Sequence, residues 1–237
     1  MKGRFLTQLN ERPIEGNIFA DRSSLILEWL LMVGLNKEAF SLREVAKAVG
    51  VSVGLVQRVF GSLVIMGLLK TEGMRTAKKF SFKKSSQLLK TWLQHYSIVR
   101  KCKMWTYHSG FQGKAQLLNA LKKSNYGQKV ELALHSAAEA HGCKNTNLDT
   151  LELYLLDPDI RPKLEELLQL QPQERGYEVL LIEPYYKSLS KLGKSTGKNI
   201  RVSPALLAFL DLYHFPLRGQ EQAEFMAQRL PELKQIL

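Results

Sequence analysis

Between residues 40 and 82 the apolar positions change period, from helical to alternating, and the rest of the chain is read around that change. Leu42, Val45, Ala46 and Val49 recur at three- and four-residue spacing, which predicts a short helix. Ser41 and Glu44 stand where a capping box needs them, Phe40 and Val45 at the staple positions, and Gly50 where a left-handed residue stops the helix. A second helix restarts after Val51 with Ser52 as its cap, and its apolar face is Leu55, Val56, Val59, Phe60, Leu63 and Val64. Ser52, Gly54, Gln57, Arg58 and Gly61 form the opposite face, which is small and polar. After Gly67 the period falls to two in residues 68–71 and again in 79–82, around a turn over 72–77 that holds Gly73 and Arg75. The succession reads as a winged helix-turn-helix.

That pattern carries a chemical expectation. A second helix with a small outer face can enter the major groove of duplex DNA. Arg58 suits guanine O6/N7 and Gln57 suits adenine N6/N7, while Ser52 and Gly54 leave room for close approach. Arg43 and Lys47 on the first helix, with Arg75, Lys78 and Lys79 in the hairpin, are expected to meet phosphates. The plainer alternative is a helical hairpin that only packs against its neighbours.

Residues 1–20 have no strong period and read as an arm, with Lys2, Arg4 and Arg12 solvated. A helix over 22–33 follows, capped by Asp21 and ended at Gly34; with Glu28 inside, it is too short and too polar to span a membrane. A further helix starts at Ser85, with Leu88, Leu89, Trp92, Leu93 and Tyr96 on one face. Arg100, Lys101 and Lys103 beyond it suit a phosphate or plain solvent equally. From residue 104 extended and helical patterns alternate. Strands are expected at 104–107, 130–134, 151–155 (one face polar), 177–182 and 200–202, and helices at 112–123, 135–141, 159–170 with Asp159 as cap, 204–213 and 220–230. Residues 187–198, rich in Lys, Gly, Ser and Thr, read as an exposed loop. The expected fold class is α+β: a winged-helix domain over 1–84, a connecting helix over 85–103 and an α/β domain over 104–237.

Charge sharpens this reading. The chain of 237 residues has a formal net charge of +12. Residues 1–105 hold 18 Lys and Arg against 7 Asp and Glu, and the remainder 16 against 15, so the excess belongs to the half with the helix-turn-helix. That asymmetry is expected of a domain facing a polyanion, whereas charge for solubility would be spread out. Cys102 and Cys143 are isolated, which fits a reducing cytoplasm and neither a zinc site nor a disulfide framework. No signal-peptide order opens the sequence.

Residues 200–213, IRVSPALLAFLDLY, then Arg218-Gly219 and Gln222-Ala223-Glu224, resemble the C-terminal signature of AbiEi-type antitoxins, regulators of type IV toxin–antitoxin systems. The stretch LHSAAEAHG at 134–142 resembles that family's small-residue helix after a strand. The resemblance implies a winged-helix domain joined to a nucleotidyltransferase-like domain without transferase activity. It also implies a repressor that binds operator repeats in its own promoter and counters a toxin without forming a stable complex with it.

The residues themselves offer little catalysis. A nucleotidyltransferase needs a Gly-Ser turn and two carboxylates on one side of a strand to hold Mg²⁺. Here His135-Ser136 replaces the turn, and Asp149 and Glu152, three apart, are expected on opposite faces. Asp157-Pro158-Asp159 reads as structural, and Asp211 is expected to pair with Arg218. His135, His141 and Cys143 do not match zinc spacing. Neither a cofactor nor a metal is expected, and the partner is double-stranded DNA. The rival readings are a divergent nucleotidyltransferase using Ser136, Asp149 and Glu152, and a winged helix that docks only to protein.

Overall fold

Each apolar face read from the sequence finds a partner in the computed structural model, which describes residues 17–73, 78–194 and 200–237. Helix α1 (Asp21–Met32), α2 (Leu42–Val49) and α3 (Val53–Ile65) bring Ile26, Leu27, Leu30, Val45, Val56, Phe60 and Leu63 into one core. Burying each such side chain contributes roughly 1.5–3 kcal/mol. Strands β1 (Leu69–Glu72) and β2 (Lys79–Phe82) pair antiparallel, Leu69 opposite Phe82 and Glu72 opposite Lys79. Phe40 adds a bridge on the far side of β2, exchanging two 2.9 Å backbone hydrogen bonds with Phe80. The hairpin is therefore tied to the segment that starts α2.

Helix α4 (Ser85–His95) buries Leu88, Leu89, Trp92 and Leu93 in the same core. It is followed by the single turn α5 (Ile98–Lys101) and by β3 (Lys103–Ser109), α6 (Lys114–Lys123), β4 (Val130–Leu132), α7 (Leu134–Ala140) and β5 (Leu151–Leu155). Next come α8 (Arg161–Leu167), β6 (Leu170–Pro172), β7 (Val179–Glu183), α9 (Lys187–Ser190), β8 (Arg201–Val202), α10 (Ala205–Tyr213), α11 (Gly219–Arg229) and α12 (Pro231–Lys234). Six of these strands form one mixed sheet in the order β6-β3-β7-β5-β4-β8, in which β5/β7 and β4/β8 run parallel and the other neighbours antiparallel. The protein is a mixed α+β structure.

One continuous cluster runs from the first helices into the second half. Trp92 donates from its indole to the Tyr186 hydroxyl at 2.7 Å, and that hydroxyl donates to the Phe19 carbonyl at 3.0 Å. Ile18 and Phe19, read as part of a solvated arm, are buried here; Lys2, Arg4 and Arg12 lie outside the described residues.

Several local expectations are corrected. Asp21 does not cap α1: the residue before the helix is Ala20, and the Asp21 carboxylate instead accepts from Ser188 of α9, a partner 167 residues away that no local pattern reveals. The polar face of strand β5, Glu152 and Tyr154, is not turned to solvent: all five residues of the strand are buried. Asp157, not Asp159, caps the turn before α8, and that helix ends at Leu167 so that Leu170 can join β6, a strand the apolar spacing hid. Residues 187–190 form α9 with Leu189 and Ser190 buried, where an exposed loop was expected; residues 195–199 lie outside the described residues.

Candidate nucleic-acid interface

The geometry of the α2–α3 pair follows from its caps. Ser41 Oγ accepts from the Glu44 N–H at 3.2 Å and the Glu44 carboxylate accepts from the Ser41 N–H at 3.4 Å, the reciprocal pair of a capping box. Gly50 adopts φ 66°, which ends α2 in the left-handed region. Ser52 Oγ then accepts from the Leu55 N–H at 3.2 Å and starts α3. The axes of α2 and α3 turn through 118° across this break. Phe60, on the inner face of α3, lies edge-on to both Phe40 (5.8 Å between ring centres) and Phe80 (4.8 Å), which fixes the helix against the hairpin.

With that face buried, the other is left to solvent. Ser52, Gly54, Gln57, Arg58 and Gly61 are all exposed, as are Arg43 and Lys47 on α2 and Lys78 and Lys79 at the hairpin. Among the described residues no hydrogen bond or ion pair engages the side chains of Arg43, Lys47, Gln57 or Arg58. Arg58 borders a cleft of about 390 Å³ shared with Asn17, Ile18, Asp21 and Leu55. The Lys78 ammonium sits 5.8 Å from the Phe80 ring centre. Arg75 lies outside the described residues. The Glu44 carboxyl is held below the ordinary carboxylate range, first by its hydrogen bond to Lys37, with Lys79 among the nearby cations.

Arg100, Lys101 and Lys103 divide their roles. Lys103 pairs with Glu183 at 3.5 Å and Lys101 lies over the Tyr185 ring, while Arg100 is exposed.

A second polar cluster occupies the start of α7 and the start of β5. Glu152 is fully buried and accepts from the Ser136 N–H at 2.9 Å, the Ser136 and Thr150 hydroxyls, and Tyr177 at 3.3 Å. Burial, and then this carboxylate, push the Tyr177 phenol well up. Asp149 lies before the strand rather than on it; it is exposed and accepts from the Lys114 N–H at 3.3 Å. The Lys114 ammonium is itself taken by Glu139 at 2.8 Å. Among the described residues no three His, Cys, Asp or Glu side chains are grouped so as to hold a metal ion. His141 Nε2 is bonded to the Ser203 carbonyl at 2.8 Å, and burial pulls the His135 imidazole below its ordinary value.

Asp211 overturns the expected ion pair. It is fully buried and accepts from the Tyr96 hydroxyl at 2.6 Å and from the Tyr154 hydroxyl, whereas Arg218 turns outward to Glu221 at 2.6 Å. Arg218, at φ 65° just before α11, is exposed, so its guanidinium meets the surface carboxylate of Glu221 and not the buried one of Asp211. Burial pushes the Asp211 carboxyl up to about 7 against the pull of the two tyrosines.

The family model described as transcriptional regulator, AbiEi antitoxin, type IV TA system matches residues 81–231. The chain belongs to this AbiEi antitoxin family. The match begins inside β2, so the family membership rests on everything from the end of the hairpin to α12, and α2 and α3 lie outside it. An antitoxin-like transcriptional regulator is thus the family's role, and the geometry of α2, α3 and the hairpin stands beside it independently. No curated protein and no solved structure matches the chain. Among the described residues no single helix is long and apolar enough to cross a membrane.

Proposed function

We propose that this AbiEi-family protein is a sequence-specific DNA-binding regulator, a repressor that acts in the cytoplasm on operator DNA. In this reading α2, α3 and the hairpin form a winged helix-turn-helix, and α3 enters the major groove. Gln57 and Arg58 read bases, Ser52 and Gly54 permit close approach, and Arg43, Lys47, Arg75, Lys78 and Lys79 hold the backbone. The observation that carries this is the contrast across α3: Val56, Val59, Phe60 and Leu63 are buried while Gln57 and Arg58 are exposed and, among the described residues, unengaged. The 118° turn between the helices lies within the range of DNA-reading pairs.

In the same reading the winged domain spans residues 1–84, residues 85–103 join it to the second half, and residues 104–237 form a nucleotidyltransferase-like domain without transferase activity. The hydrogen bonds that Glu152 accepts from Ser136, Thr150 and Tyr177 favour this, because they leave that carboxylate poorly placed to clamp a metal. A toxin partner countered without a stable complex completes the antitoxin role.

Selection of duplexes from a random library by the full chain tests the reading. The parent should return one enriched motif, and Arg58→Ala should relax it at one position by about 1–3 kcal/mol of discrimination. Enrichment of nothing, or a motif untouched by both Arg58→Ala and Gln57→Ala, would sink the assignment of α3. Incubation with labelled nucleotides and Mg²⁺ should give no transfer; transfer abolished by Ser136→Ala would favour the enzyme.

A further inference from the structure

We propose that the second half holds a binding site for a small phosphate-bearing molecule, in the cleft bounded by Leu155, Leu156, Pro184, Lys187, Lys191 and Arg201. The cleft has a volume of about 500 Å³, within the range of small-molecule sites. It opens beyond the carboxyl ends of the parallel neighbours β5 and β7, where open α/β sheets receive ligands. Ser136 and Glu152 lie past the opposite end of β4, so this is a different place from the polar cluster described above.

The chemistry of the walls selects the ligand. Three cations line the cleft; Lys187 is paired at its edge with Glu183 at 3.0 Å, and none of the described lining residues is itself a carboxylate. Leu155, Leu156 and Pro184 supply an apolar wall, which asks for a ligand with a body as well as a charge. Arg201 is set in position: its Nη2 donates to the carbonyls of Ser190, Lys191 and Gly193 at 3.3, 3.3 and 3.1 Å. Beneath it Glu131 is fully buried and accepts from Ser190, yet its second oxygen stops 3.8 Å from Arg201 Nε, and neither of these two atoms is hydrogen-bonded. The pair is incomplete, and burial pushes the Glu131 carboxyl up to about 7, so the Arg201 charge is only partly offset. A Cβ at Gly193 would collide with the Glu131 carboxylate and the Val202 carbonyl, so glycine is what lets the chain close over this pair. A phosphate held by Lys191 and Arg201, with Lys187 shared between it and Glu183, would supply the missing negative charge.

Calorimetric titration of the full chain with adenosine monophosphate, inorganic phosphate and adenosine tests the site, and it reads no DNA, so its outcome is separate from the regulator reading. Adenosine monophosphate should bind saturably, phosphate should compete more weakly, and adenosine should give no detectable heat. Lys191→Ala and Leu156→Glu should each weaken the nucleotide about tenfold or more, while Lys122→Ala, exposed on α6, should leave it unchanged. The proposal is overturned by absence of saturable binding of both phosphate compounds. It is equally overturned by binding that survives both cleft variants and is lost instead on Lys78→Ala with Lys79→Ala.

Discussion

Asp21 and Ser188 are joined by two hydrogen bonds across 167 residues of chain: the Ser188 N–H donates to one carboxylate oxygen at 2.7 Å and its hydroxyl to the other at 2.8 Å. The first residue of α1 thereby holds α9, the helix that also carries Lys187 and the Glu131 partner Ser190. Asp21→Ala should lower unfolding stability by about 2 kcal/mol, since bonds to a charged acceptor are the stronger kind. Ser188→Ala, which keeps the backbone bond, should cost about half as much. Denaturant titration of the two variants checks the ratio; equal losses would show that the backbone bond contributes nothing.

Asp211 predicts a pH dependence of stability. Its folded-state pKa of about 7 lies above the ordinary value of an unfolded aspartate, so the fold binds the extra proton. The stability this contributes is full below about pH 4 and is lost as pH rises through about 7. Glu131 acts in the same direction, and the lowered carboxylates Glu44, Glu139 and Glu183 act in the opposite one, losing their contribution as pH falls. Asp211→Asn isolates the first effect: relative to this variant the parent should lose stability between pH 5 and pH 8. Parallel curves for the two proteins would refute it.

Substitutions in the glycines of the helix pair should separate stability from binding. Gly61 is exposed inside α3 with open space where a Cβ would go, so Gly61→Ala should stabilise the fold by up to about 1 kcal/mol. Its methyl group would nonetheless stand on the face proposed to approach DNA, and affinity should fall. Gly50→Ala, at φ 66°, should instead cost about 1–2 kcal/mol in stability. Thermal unfolding and duplex titration of both variants decide it; a Gly61→Ala protein that binds DNA more tightly would argue against close approach by α3.

Lys78→Ala combined with Lys79→Ala should weaken all duplexes evenly and reduce the slope of log affinity against log salt by about 2. Anisotropy titrations across a salt series measure this. An unchanged slope would remove the hairpin from the phosphate contacts.

The helices α2 and α3 and the break between them were legible in the sequence because their determinants are local. A capping box spans three residues, and the Gly50 stop and the Ser52 cap each act within one turn. The exposed face of α3 followed from the spacing of Val56, Val59, Phe60 and Leu63 alone. The family signature near residues 200–213 was legible for the same reason, being a continuous string that begins with β8 and runs through α10.

The second half was harder to read because its polar residues are spent on distant partners. Glu152 alternates along β5 as a surface residue would, yet is buried because Ser136 and Tyr177 arrive from other elements to donate to it. Asp211 near Arg218 invited an ion pair, and the fold gave it two tyrosines from α4's end and β5 instead. Lys187 and Lys191 are exposed, as their polar surroundings suggested, but only the fold sets them in one cleft with Arg201 from β8. Sequence by itself determined the elements whose hydrogen bonds close within a few residues. Only the tertiary structure decided which charges are buried, which are paired and which are left open, because desolvation and pairing depend on groups that the chain brings together from far apart.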